Sequence, residues 1–229
     1  DAGLSAALLD RLALSGEQIQ ALARAVKQVA ALPDPVGSRS AMHRASNGLL
    51  IGKQRLPIGL IAIVYESRPN VTVDAAALTL KSGNAVLLRG GKEAASTNAL
   101  LVEIMRRALA DADLPEDAVC LVPPGDREEI RELVSLTEIV DLAIPRGGEG
   151  LIRFVAEVAR VPVIKHYKGV CHLFLDESAE LDMARSLTLN SKVQRPGVCN
   201  ALECLLVHQR SAERLLPELG RALIAEGVE

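Results

Sequence analysis

Residues 59–64 read Gly59-Leu60-Ile61-Ala62-Ile63-Val64, and the fold is decided there. A strand with one wet face alternates apolar and polar residues. An unbroken apolar run bounded by turn residues reads instead as a strand covered on both faces, as in a parallel sheet between two helix layers. Similar runs recur downstream at Ala85-Val86-Leu87-Leu88, at 118–122 and at 139–144. Helical patterning fills the gaps over 73–81, 93–110 and 126–135, and again over 149–160. This strand–helix alternation predicts an α/β fold, a right-handed, doubly wound parallel sheet of the Rossmann-like kind. Ligands of such sheets sit outside the carboxyl ends of the strands. The segments to read for function are therefore 65–70, 89–92, 123–126 and 145–148.

Upstream, two helices are expected, over 1–14 and 15–32. Ser15 is the N-cap of the second, with Ile19, Leu22, Ala23, Val26 and Val29 at helical spacing. Pro33-Asp34-Pro35 ends it. Residues 39–56, with the turn signal Asn47-Gly48, read as an extended arm or hairpin and hint at association into a homo-oligomer. After Pro162 the rhythm loosens: strands over 171–176 and 201–207, helices over 181–192 and 211–226. The expected organisation is a nucleotide-binding domain over 1–180 and the start of a second, incomplete α/β domain over 181–229.

Composition narrows the function classes. The 229 residues are 49% hydrophobic, enough for a sizeable core and too apolar for disorder. No apolar run approaches the roughly 20 residues of a membrane span. The chain does not begin with Met and shows no basic segment leading into an apolar one, so no signal peptide is expected. Two Tyr, two Phe and no Trp leave no aromatic platform for stacking bases, and the net charge of −3 is no footprint for a polyanion, so nucleic-acid binding is not expected. The four cysteines, Cys120, Cys171, Cys199 and Cys204, include no C-x-x-C pair and suit a reducing cytoplasm. Cys120 and Cys204 fall within apolar strands and are expected in the core.

Four constellations could carry chemistry. Arg89-Gly90-Gly91-Lys92 follows a strand and opens a helix, offering close backbone approach, a helix N-terminus and two cations to a phosphate. The competing reading is an ordinary strand-to-helix turn, and the fingerprint G-x-G-x-x-G is absent. Pro145-Arg146-Gly147-Gly148 repeats the arrangement at another strand end, which favours a shared nucleotide site. Gln194-Arg195-Pro196-Gly197-Val198-Cys199-Asn200 places a thiol on a tight loop near Arg195 and Lys192; it is either an activated nucleophile or a small buried hydrophobe. Tyr65-Glu66-Ser67-Arg68-Pro69-Asn70 offers Arg68 to a carboxylate or phosphate and Asn70 to an oxyanion. Cys171, His172, Cys199, Cys204 and His208 match no zinc spacing, so no metal is expected.

Taken together, Tyr65–Ala77, Lys81–Asn84, Arg89–Gly91, Ile144–Gly148 and Gln194–Ala201 resemble the signatures of the gamma-glutamyl phosphate reductases, the proline-biosynthesis branch of the aldehyde dehydrogenase superfamily. The resemblance implies NADPH-dependent reduction of L-glutamyl 5-phosphate to the 5-semialdehyde, with Cys199 as nucleophile. It makes the Cys199 N–H and Asn70 the oxyanion donors, and Arg68 and Arg195 substrate ligands. Arg89, Gly90, Gly91, Lys92, Gly147 and Gly148 would hold the cofactor. It also implies a cytoplasmic oligomer, supplied with its labile acyl phosphate by a glutamate 5-kinase. Where hydrolytic relatives carry a Glu base, this chain has His166, which favours phosphate release over hydrolysis. Lys92 replaces a ribose-binding Glu and favours a 2′-phosphate. Two alternatives stand beside this reading: another acylating or hydrolytic aldehyde dehydrogenase, and a nucleotide-binding piece without catalysis.

Overall fold

The structure is a computed structural model and describes residues 12–66, 68–123, 125–167, 169–196 and 198–228. The helix expected over 1–14 lies outside the described residues as far as residue 11. The chain divides into two compact units, one up to His166 and one from Tyr167 onward. Each is described by itself.

In the first unit, helix α1 (Gly16–Ala31) begins with a reciprocal cap: Ser15 Oγ accepts from the Gln18 N–H, and Gln18 Oε1 accepts from the Ser15 N–H. Strands β1 (Arg39–Arg44) and β2 (Leu50–Gln54) then pair antiparallel, closed by the Asn47-Gly48 turn with Gly48 at φ +87°. Every residue of the two strands is exposed, including Met42, Leu50 and Ile51.

The main sheet holds β3 (Leu60–Tyr65), β4 (Ala85–Arg89), β5 (Val119–Leu121) and β6 (Leu142–Arg146), all parallel, in the order β5-β4-β3-β6. Successive side chains of a strand point to opposite faces. Accordingly Ile61, Ile63 and Tyr65 pack with Val86 and Leu88 under α2 (Pro69–Lys81) and α3 (Ala95–Asp111). Ala62 and Val64 pack under α4 (Arg127–Leu133) and α5 (Glu149–Val158). This two-sided burial is why residues 60–64 carry no polar side chain. Each buried Ile or Val contributes about 1.5–3 kcal/mol. The chain runs β3-β4-β5 in one direction, then crosses back to place β6 on the other side of β3. The switch point, where such sheets bind ligands, lies at the carboxyl ends of β3 and β6.

Polar side chains fix the start of β3. Asn84 Oδ1, buried, accepts the Gly59 N–H at 2.9 Å, and the Asp141 carboxylate accepts the Leu60 N–H at 2.8 Å. Gly59 sits at φ +127°, and a Cβ there would lie 2.0 Å from Asp141 Oδ2. The Lys81–Asn84 stretch is thus a structural joint at the amino end of the sheet.

Several boundaries move, two of them for a visible reason. Helix α2 starts at Pro69 rather than residue 73, because proline at the first helical position needs no N–H partner there. Strand β6 covers 142–146 rather than 139–144, because the Ile139 and Val140 amides turn back to the Leu136 carbonyl.

In the second unit, β7 (His172–Leu175) and β8 (Cys204–Val207) pair in parallel, joined through α6 (Leu181–Val193) and followed by α7 (Gln209–Ala225). Leu175, Ala184, Leu215 and Leu219 form its core, while Phe174 and Leu206 on the opposite sheet face are exposed. The division falls before β7 rather than near residue 180. The reason is pairing: residues 172–175 hydrogen-bond with 204–207, not with the main sheet.

Candidate active site

At the end of β3, Tyr65 is buried rather than part of an open loop. Thr72 Oγ1 gives its single proton to Asn98 Oδ1 at 2.9 Å, so it accepts from the Tyr65 hydroxyl at 2.7 Å. All three side chains are buried, and burial holds the Tyr65 hydroxyl above the usual phenol range. The neutral phenol is therefore the donor at the head of a satisfied polar chain. Nothing local in the sequence announces it, since its members stand 7 and 26 residues apart.

This chain underlies the β4 turn. A Cβ on Gly90 would lie 2.2 Å from Asn98 Nδ2 and 3.1 Å from the Tyr65 ring. Gly90 is thus required for packing inside the protein. Arg89 is buried at 9% exposure, and its guanidinium turns inward, Nη1 to the Gly90 carbonyl at 3.2 Å and Nη2 to the Gly125 carbonyl at 2.7 Å. It ties the end of β4 to the loop after β5. Its Nε is buried without a partner. Gly91 is half-buried and Lys92 exposed, at the start of a short 3₁₀ turn.

Across the switch point, Gly148 is the N-cap of α5 and has no side chain to cap with. Glu66 serves instead: its Oε2 accepts the Gly148 N–H at 2.9 Å. A Cβ on Gly147 would lie 2.7 Å from Glu66 Cδ and 2.9 Å from Leu151 Cδ2, whereas one on Gly148 would meet only ordinary contacts. Glu66 received no role from sequence. The only signal was an acidic residue at one strand end and a Gly-Gly turn at another.

Arg68 is exposed at the N-cap of α2 and makes no cap bond. Asn70 lies on the helix's first turn rather than in a loop, exposed, with Nδ2 3.3 Å from Asp74 Oδ2. His166 is exposed. A cavity of about 620 Å³ lined by Leu32, Pro35, Arg55, Leu78 and Lys81 lies near the amino end of β4, away from these groups.

In the second unit, Cys199 is exposed on a turn between α6 and β8. The Val198 N–H bonds the Arg195 carbonyl, the Ala201 N–H bonds the Val198 carbonyl, and the Leu202 N–H bonds Ser191. Arg195 is exposed beside it. Lys192 gives its ammonium to the Leu202 carbonyl at the end of the same turn, at 3.1 Å. Cys120 and Cys204 are half-buried rather than in the core, because β5 and β8 are edge strands. His208 caps α7, accepting the Arg210 N–H, which gives it a structural role. Among the described residues no group of three His, Cys, Asp or Glu could hold a metal ion, and no helix is long and apolar enough to cross a membrane.

A parallel sheet with glycine-bearing turns after β4 and β6, and an exposed cysteine on a second α/β unit, narrow the choice of family. Residues 10–225 match the aldehyde dehydrogenase family. The chain belongs to that family. Among curated aldehyde dehydrogenase relatives, the gamma-glutamyl phosphate reductase of Sorangium cellulosum is 60% identical over all of this chain and 53% of its own length. That of Anaeromyxobacter is 58% identical, with the same coverage. The crystal structure of the gamma-glutamyl phosphate reductase of Thermotoga maritima superposes with a TM-score of 0.89 at 46% identity, over 99% of this chain and 55% of that one. The chain spans about half the length of the curated relatives it matches.

Proposed function

We propose that the chain carries the cofactor-binding domain and the nucleophile of an NADPH-dependent reductase that converts L-glutamyl 5-phosphate to L-glutamate 5-semialdehyde and phosphate. The observation that supports this reading is an exposed Cys199 on its hydrogen-bonded turn, in a chain 60% identical to a gamma-glutamyl phosphate reductase. The Cys199 thiolate attacks the acyl carbon, the C–O bond to phosphate breaks, and a thioester remains on Cys199. The reduced nicotinamide, when bound, supplies the hydride that takes this thioester to the aldehyde level. The Cys199 N–H and Asn70 are the proposed donors to the oxyanion, and Arg68 and Arg195 the proposed ligands of the substrate's anionic groups. His166 stands where hydrolytic relatives carry a carboxylate base, which favours phosphate release over hydrolysis.

The residues at the switch point fit a dinucleotide. The orphaned Arg89 Nε offers a buried donor, and the Gly147-Gly148 turn opens helix α5 at the same end of the sheet. Gly91 and exposed Lys92 flank the same sheet edge, and the Lys92 cation favours the 2′-phosphate of NADPH. Gly90 supports the turn from inside. In this reading the unit up to His166 is the NADP-binding domain, the unit from Tyr167 begins the catalytic domain, and the exposed hairpin 39–56 is an arm for self-association. The enzyme works in the cytoplasm, next in sequence to a glutamate 5-kinase.

The test runs the reaction backwards with semialdehyde, phosphate and NADP⁺. Turnover should require phosphate and disappear in Cys199→Ser. Normal turnover in that variant, or phosphate-independent oxidation of simple aldehydes to free acids, refutes the reading.

A further inference from the structure

Three of the four cysteines lie in the second unit, and the thiol of one reaches the main chain of another. The Cys171 thiol donates to the main-chain carbonyl of Cys199 at 3.4 Å. The contact is anchored from both sides. The Cys171 carbonyl accepts the N–H groups of Glu203 and Cys204 at 3.1 and 3.0 Å, and the Leu202 N–H holds the far end of the Cys199 turn to Ser191 at 2.8 Å. Cys199 is exposed and Cys171 half-buried, so an oxidant in solution reaches Cys199 first. The reaction proposed above leaves Cys171 without a part.

We propose that Cys171 is the resolving thiol for Cys199, so that oxidation of the nucleophile ends in a reversible Cys171–Cys199 disulfide. The idea rests on the reading of Cys199 as the reactive thiol. The oxidant is hydrogen peroxide or an organic hydroperoxide. The Cys199 thiolate attacks one peroxide oxygen, the O–O bond breaks, and hydroxide or alkoxide leaves; sulfur is oxidised by two electrons to the sulfenic acid. The Cys171 thiolate then attacks that sulfur, the S–O bond breaks, and the oxygen departs as water once protonated. With hydrogen peroxide the sum is two thiols and one peroxide giving one disulfide and two waters. A disulfide needs its two Cα atoms within about 7 Å. A thiol already touching the partner's own main chain is what selects Cys171 over Cys204, whose backbone N–H rather than its sulfur bonds Cys171.

The purified protein is treated with hydrogen peroxide in about tenfold molar excess, since the sulfinic acid takes two peroxides per thiol, then digested without reduction and mapped by mass spectrometry. The expected product is a Cys171–Cys199 linked peptide, two hydrogens lighter than its parts, that a thiol reductant separates completely. In Cys171→Ser the sulfenic acid has no partner. Cys199 should advance to the sulfinic acid, which the reductant leaves in place, and recovery of its free thiol should fall roughly tenfold. Absence of the linked peptide, a Cys199–Cys204 link in its place, or full recovery in Cys171→Ser overturns the proposal. The wild-type map needs no variant. It is read on sulfur masses alone, so a failure of the reductase reading leaves it standing.

Discussion

Gly90→Ala puts the packing beneath the candidate cofactor turn to a quantitative test. The added Cβ would fall 2.2 Å from Asn98 Nδ2 and 3.1 Å from two atoms of the Tyr65 ring. Real Cβ atoms do not approach that closely, so either the β4 turn or Asn98 must move. Neither has room, because Tyr65, Thr72 and Asn98 are buried and joined by hydrogen bonds of 2.7 and 2.9 Å. Overpacking a filled core costs about 1–3 kcal/mol. Displacing Asn98 from Thr72 leaves buried polar groups unpaired, for about 1–3 kcal/mol more. The sum is about 2–6 kcal/mol, a large share of a typical domain's stability. Gly148→Ala, whose Cβ would meet nothing closer than 3.6 Å, is the control and should be nearly neutral. The assay is urea unfolding of both variants, repeated in an Asn98→Ala background. With the Asn98 side chain gone, the cost of Gly90→Ala should drop by at least about 1 kcal/mol, a coupling of ordinary size for touching residues. Gly90→Ala within about 0.5 kcal/mol of the parent, or a cost unchanged by removing Asn98, would refute the reasoning.

Three further outcomes are expected. Because burial raises the Tyr65 pKa above its unfolded value, folded protein holds the phenol proton after unfolded protein has lost it. Stability is then complete below about pH 10 and declines as pH rises toward the folded pKa; Tyr65→Phe should flatten that decline in unfolding curves taken from pH 8 to 11. Lys92→Glu should shift the ratio of NADPH to NADH efficiency by roughly tenfold toward NADH, about 1.4 kcal/mol, and an unchanged ratio would remove Lys92 from the cofactor site. Cys199→Ser should lower the phosphate-dependent rate by about a thousandfold or more while leaving the unfolding midpoint in place.

The legible parts of the fold were those whose cause is local. The run 60–64 announced a strand covered on both faces because each residue met a helix layer. Ser15 announced a cap because the Gln18 amide it serves lies within one turn. The Cys199 turn was legible as a motif. Other features depend on partners far along the chain. Glu66 reaches Gly148 across 82 residues, and Arg89 reaches the Gly125 carbonyl across 36. A cation beside two glycines suggests an outward hand for phosphate, and no local pattern says that it folds inward. The start of α2 lies four residues ahead of the patterned stretch for a simpler reason: Pro69 stands at the one helical position that welcomes proline.

The crossing of the chain between β5 and β6 also sets an order of assembly. Strand β3 finds β4 through a short crossover, Leu60 beside Ala85, but closes on β6 only when residues 141–146 arrive, some 80 positions later. Longer closures carry the larger entropic cost and come later in folding. The contact of Glu66 with Gly148 belongs to that last closure. On a ribosome, the carboxyl end of the sheet between β3 and β6 is therefore among the last parts of this unit to take shape.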